Sequence, residues 1–193
     1  AVDSITTGDY NVGIGDNALT ANTTGQHNTA VGSSALTSTT TGSYNTALGL
    51  NAGKLNTTGT QNTYLGREAG NSGTTSSYNT IVGHTAGYAL TTGSYNTALG
   101  NSSLRYNTTG VKNVAVGFQA LGSNTTASQN TAVGYQALYS NTSGLYNVAV
   151  GLDALKDLTT ADYNTALGFQ ALENTTTGNQ NTAVGALSLD ANT

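Results

Sequence analysis

Residues 130–151 read NTAVGYQALYSNTSGLYNVAVG, and the same short phrase starts twice, at Asn130 and again at Asn147. Seventeen residues separate the two asparagines. Working outward, the marker recurs at Asn11, Asn28, Asn45, Asn62, Asn79, Asn96, Asn113, Asn130, Asn147, Asn164 and Asn181, always 17 apart, with no insertion or deletion. Loop length is cheap to change in a globular domain, so a spacing held this strictly means that each unit stacks in phase on the next. That is the mark of a solenoid.

Counted from the residue before the marker, the unit reads Y-N-T-A-V-G-x-x-A-L-x-x-N-T-T-G-x. Column 5 is aliphatic in every copy, from Ile14 through Val116 to Val184, and column 6 is always glycine. Column 9 is Ala or Ser. Column 10 is Leu except at Gly53, Gly70 and Gly87 (and Val2 in the leading partial copy), and column 14 is Thr wherever it occurs. N-T-A-V-G is short, β-branched and closed by glycine, which predicts a strand. N-T-T-G predicts a second short strand or an extended turn. Glycine in columns 6 and 16 predicts positive φ or close backbone approach. Gly, Thr and Asn dominate, and 17 residues are too few for a helical hairpin repeat. The expected fold is all-β: a parallel β-solenoid, or β-roll, of about eleven 17-residue coils, with 1–193 forming a single solenoid domain. At the usual interstrand spacing it would be about 55 Å long.

The charged residues divide the unit. Five Lys/Arg and nine Asp/Glu all fall in columns 1, 7, 8, 11, 12 or 17. Those columns are expected to face solvent and the others to be packed or stacked, with columns 5, 9 and 10 in the core. Column 2 is expected to form an asparagine ladder along the axis, and column 14 a threonine ladder. Two of the column 10 glycines, Gly53 and Gly70, precede bulky column 4 residues, Tyr64 and Ile81, which suggests volume compensation. Gly87, followed by Ala98, does not fit that pairing.

Composition narrows the function. The 193 residues carry a net charge of −4, only 7% charged residues, and no Pro, Cys, Met or Trp. Scattered cations offer no basic patch, so nucleic acid is not an expected partner. No apolar run approaches the ~20 residues of a membrane span, so no membrane partner is expected, and no secretory signal opens the given sequence. Without cysteine there are no disulfides or thiolate metal sites. The histidines, His27 and His84, are three coils apart, and Asp153, Asp157 and Asp162 lie in separate turns. No nucleophile elbow or phosphate loop is present. The expectation is therefore no enzyme activity, no cofactor, and no catalytic or metal site.

Three other features remain. Column 1 carries Tyr10, Tyr44, Tyr78, Tyr95, Tyr146 and Tyr163, which are candidate surface contacts for a host-surface glycan or protein, or else stack on one another or pack between chains. N-glycosylation sequons occur at Asn22, Asn56, Asn101, Asn107, Asn124, Asn141 and Asn174, but glycans on adjacent coils would collide, so N-T-T reads as repeat chemistry. The apolar interior looks thin for the chain that must be ordered, which predicts burial between copies and a parallel homotrimer.

The phrases at 130–151 and 164–185 (NTALGFQALENTTTGNQNTAVG) resemble the repeats of phage tail-fibre and bacterial surface-fibre proteins. The N-x-A-x-G strand also resembles the head repeats of trimeric autotransporter adhesins. The resemblance implies left-handed coils, a trimeric shaft and an extracellular setting on a virion or cell surface. The sequence begins and ends in mid-unit, which suggests an excerpt of a longer fibre. The expected function is a structural fibre segment that carries a receptor-binding tip. The rival is ice binding, which wants outward threonines at alternate positions of one strand. Columns 14 and 15 are adjacent and so point to opposite faces, while column 3 stands alone.

Overall fold

The computed structural model describes residues 7–190. It contains eleven three-residue strands: β1 (Val12–Ile14), β2 (Thr29–Val31), β3 (Thr46–Leu48), β4 (Thr63–Leu65), β5 (Thr80–Val82), β6 (Thr97–Leu99), β7 (Val114–Val116), β8 (Thr131–Val133), β9 (Val148–Val150), β10 (Thr165–Leu167) and β11 (Thr182–Val184). They form one parallel sheet in sequence order, each residue opposite the one 17 further on, as in Thr46↔Thr63 and Leu48↔Leu65. No helix occurs among the described residues. The parallel β-solenoid with a 17-residue coil is the architecture the repeat predicts.

The coil contains one strand, not two. Columns 14 and 15 are bends, and the N–H groups of columns 14–16 run to the next coil, with Thr23, Thr24 and Gly25 all donating to the Thr40 carbonyl at 3.0–3.3 Å. The column 14 threonines join in through main chain: Thr57 Oγ1 donates to the Thr74 carbonyl at 2.9 Å, and Thr91 Oγ1 to that of Thr108 at the same distance. Their ladder therefore runs from hydroxyl to backbone carbonyl.

The core differs from the expected one. Along each strand only column 4 points inward: Ala30, Ala47, Tyr64, Ile81, Ala98, Ala115 and their equivalents are fully buried. Column 5 faces out. Leu48, Leu65, Leu99, Val150 and Leu167 are 36–47% exposed, so placing this column in the interior is corrected. The reason is parity: with two column 2 to column 4 steps fixed inward by Asn and Ala, the intervening and following residues must point the other way. The interior is built from columns 4, 9 and 10, together with buried asparagines in columns 2 and 13. It is smaller and more polar than three aliphatic columns would have made it.

The turn columns carry a signature invisible in residue type. Thirty non-glycine residues have positive φ, all in columns 1, 8 and 10, including Tyr44 (61°), Asn51 (57°), Leu104 (48°) and the β-branched Thr85 (52°). Left-handed backbone is costly for such residues. Most of them are held by a bond to a neighbouring coil: Tyr44 N–H to the Gln26 carbonyl at 2.9 Å, Asn51 N–H to that of Ser33 at 3.0 Å, Leu104 N–H to that of Ala120 at 3.0 Å. Glycine serves elsewhere. In column 6 it takes φ of 122–144°, and a Cβ on Gly49 would come within 2.5 Å of the Gly66 carbonyl oxygen. In column 16 the requirement is close approach alone: a Cβ on Gly42 would lie 2.4 Å from the Gly59 carbonyl oxygen.

Volume compensation is present, with a different pairing from the expected one. The Tyr64 ring lies between two glycines: a Cβ at Gly53 would meet it at 2.6 Å, and one at Gly70 at 2.2 Å. Ile81 fills the space of Gly87 in its own coil, where a Cβ would approach to 3.2 Å. Three missing leucines are thus replaced by one Tyr and one Ile. Gly87 does not break the pattern, because the compensating residue lies in the same coil.

Tyr64 is fully buried, and burial pushes its phenol up to about 12; the nearby Ser76 hydroxyl draws it slightly back, though the two fall outside hydrogen-bond geometry. A phenol that holds its proton more tightly when folded costs no stability below the ordinary tyrosine range. It destabilises as pH rises from about 10, because the unfolded chain ionises first. Wild type should therefore lose on the order of 2–3 kcal/mol relative to Tyr64→Phe between about pH 10 and 12. At pH 7 the variant should be equal or more stable, since it removes an unpartnered hydroxyl. Urea unfolding of both proteins across that range measures the difference; parallel curves would contradict it.

Candidate functional site: the outward strand face

Because columns 3 and 5 share a face, the sheet presents a mostly threonine row, broken by Val12, Val114 and Val148, beside an aliphatic row along its whole length. Thr46, Thr63 and Thr80 are exposed in column 3, next to Leu48, Leu65 and Val82 in column 5. Column 6 is bare glycine backbone, which keeps the face low. Beyond it, column 7 turns apolar in the later coils, where Phe118, Tyr135, Leu152 and Phe169 are 42–48% exposed. The Phe118 and Tyr135 rings stack at 5.3 Å. None of columns 3, 5 and 6 carries a charge in any coil. Neutral columns were expected to be packed away; this face is neutral and outward. Exposed apolar surface of such length on an uncharged strip is the property of a contact surface.

The column 2 asparagines hold the face in place from behind. Asn28, Asn45, Asn62, Asn79, Asn96, Asn113, Asn130, Asn147 and Asn164 are buried, while Asn11 and Asn181 are half-buried in the end coils. Each Oδ1 accepts the backbone N–H of the next marker, as in Asn62 N–H to Asn45 Oδ1 at 3.0 Å. In most coils it also accepts the next side-chain amide, as from Asn62 Nδ2 at 3.1 Å. The same Nδ2 groups reach across their own coil to the column 16 carbonyl, Asn45 to Gly59 at 2.8 Å and Asn113 to Ala127 at 2.8 Å. The ladder thus ties coil to coil and closes each coil.

A second asparagine, in column 13, donates to the same carbonyl. Asn22, Asn56, Asn107, Asn124 and Asn141 are fully buried and reach Gly25, Gly59, Gly110, Ala127 and Gly144 at 3.0–3.1 Å. These five sequon asparagines are core residues with their amides occupied. Asn101 and Asn174 are exposed.

The column 1 aromatics lie on the outside and stack along the axis. Tyr10, His27 and Tyr44 form one stack with centroid distances of 4.8 and 5.0 Å; Tyr78 and Tyr95 form a second at 4.8 Å, and Tyr146 and Tyr163 a third at 4.9 Å. Gln61, Lys112 and Gln129 interrupt the column. Within each stack the ring faces are covered by one another, so an incoming molecule meets edges and hydroxyls except at the stack ends. His84 is exposed in column 7. No group of three or more His, Asp or Glu side chains suited to a metal occurs among the described residues. No helix there is long and apolar enough to cross a membrane.

Comparison with protein-family models, curated proteins and solved structures finds no match to this chain.

Replacing Asn96 by Ala strands the Asn113 N–H, now bonded at 3.0 Å, and takes one of two donors from the Gly110 carbonyl, which keeps Asn107; the change should cost about 1–3 kcal/mol. Asn96→Asp should cost more at pH 7, because a buried carboxylate would face the Asn79 and Gly110 oxygens, and should regain stability as pH falls towards 4. Chemical denaturation at pH 7 and pH 4 checks both; a cost below about 0.5 kcal/mol would mean that the ladder is dispensable.

Proposed function

We propose that this chain is the shaft of an extracellular fibre, a tail fibre, adhesin or surface filament, in which three parallel copies bury their outward strand faces against one another. Column 5 carries the reading. An aliphatic residue is placed outward in all eleven strands, on a face without a single charge. A lone soluble chain gains nothing from eleven outward aliphatic side chains in a row, seven exposed and four half-buried, whereas a second copy presents the same spacing and can interdigitate along the full length. The interior supports the same conclusion, since moving column 5 outside leaves each coil still less apolar burial of its own. Left-handed winding follows from the likeness to adhesin head repeats. In this role the mechanism is mechanical: hydrogen-bonded coils hold a receptor-binding tip at a distance.

Ice binding is the second reading, and one observation favours it: the outward pair is Thr-x-aliphatic in eight of the eleven strands, repeated in register on a parallel sheet. Against it, column 5 alternates between Val and the bulkier Leu, which roughens the surface an ice lattice would have to match.

Sedimentation equilibrium should give three times the 19.4 kDa chain mass. The triple variant Leu99→Lys, Val116→Glu, Val133→Lys, whose charges pair along the column, should fall to the monomer mass while keeping its strand circular dichroism. A monomeric wild-type chain that shows thermal hysteresis would overturn the shaft and favour ice binding.

A further inference from the structure

Away from the strand face, the turn columns contain one notch that the shaft does not use. Column 11 is occupied by a side chain in the neighbouring coils, Arg105 below and Tyr139 above, but is glycine at Gly122. The gap is lined by Ser102, Arg105, Tyr106, Gln119, Gly122 and Tyr139, is open to solvent, and holds about 40 Å³, room for a carboxylate group rather than a whole sugar ring. A Cβ on Gly122 would meet the Tyr139 ring at 2.9 Å, so any larger residue there would close it.

The polar groups around this gap are unspent donors. Arg105 Nε is buried and has no hydrogen-bond partner, and its guanidinium carbon lies 5.2 Å from the Tyr106 ring centroid. By contrast, Arg67 pairs with Glu68 at 3.1 Å, and Lys156 lies 3.7 Å from Glu173 and 3.9 Å from Asp153. Arg105 pairs with no carboxylate among the described residues. Beside it, Gln119 Oε1 accepts from Gln136 at 2.8 Å, which leaves both Nε2 protons free. The Ser102 hydroxyl is engaged by Asn101 at 2.8 Å and Thr85 at 3.1 Å. A half-buried guanidinium and a free amide, with no acceptor between them, are completed by a ligand that brings anionic oxygens. The tyrosines on either side add flat apolar surface, which suits the C–H face of a sugar ring.

We infer that the notch at Gly122 is a binding site for the carboxylate of an acidic saccharide, with Arg105 and Gln119 as donors and Tyr106 and Tyr139 as walls. The assignment does not rest on the shaft reading, since these columns lie off the strand face.

The probe is a tetrasaccharide of alternating glucuronic acid and N-acetylglucosamine, titrated into the ¹⁵N-labelled full chain. The Arg105 Nε–H and Gln119 side-chain amide resonances should shift saturably. Reducing the carboxylates to alcohols should weaken binding at least tenfold, as should Arg105→Gln or Gly122→Thr, a residue already accepted in this column at Thr20 and Thr37. Circular dichroism of both variants guards against unfolding. Absence of shifts at millimolar tetrasaccharide, or binding unchanged in Arg105→Gln, would overturn the site. Equal shifts from sodium acetate or a glutamate-rich peptide at matched carboxylate concentration would overturn the saccharide assignment.

Discussion

Everything in this molecule depends on neighbouring coils exchanging backbone hydrogen bonds at identical points. Column 3 donates to the next coil, column 6 to the previous one, and columns 10, 12 and 14 again to the next, as in Thr46 to Asn62, Gly49 to Val31 and Gly53 to Ala69. One extra residue in one coil would throw all of these out of phase. The bonds also sustain left-handed backbone at Tyr, Leu and Gln, which few proteins adopt so often. In such a stack the side chains decide less about the path of the chain than about what each face does.

Asparagine is the side chain that does most to serve that backbone. Two of them, from columns 2 and 13, converge on the column 16 carbonyl in coils such as 44–60. They give the interior amides a partner inside each coil, although the Oδ1 of Asn22, Asn56 and Asn124 is left without one, and the short column 16 residue lets the next coil approach closely enough to be reached. The narrow interior is therefore tolerable, and aliphatic residues are released to the outside, where they are available to another chain.

Much of this was legible in the sequence. The 17-residue period, the column 2 ladder and the glycine requirement at column 6 follow from residues that recur without exception, while column 16 asks only for a small residue and takes Ser76, Ala127 and Ala161 as well as glycine. The direction of column 5 was not legible, because a three-residue strand offers no alternation to read: Thr, Ala and Val are all compatible with either face. The left-handed positions were hidden because Leu19, Tyr44 and Asn51 carry no glycine signature and owe their conformation to bonds with other coils. The partner of Gly87 is hidden in the sequence because Ile81 precedes it within the same coil, whereas Tyr64 serves Gly53 from the coil that follows. The notch at Gly122 shows in the sequence only as one glycine in a variable column, and its unspent donors emerge only once Arg105 and Gln119 are placed side by side.

The tyrosine held between Gly53 and Gly70 has one further consequence. A chain of near-identical units is liable to stack out of turn, with one coil looped out and its neighbours docked across the gap. Between ordinary Ala/Leu coils such an error would go almost unpunished. Around Tyr64 it would drive a leucine such as Leu36 or Leu104 into an aromatic ring, or leave the ring's cavity empty. The plug thus acts as an address in an otherwise uniform stack, a single place from which every coil can be counted.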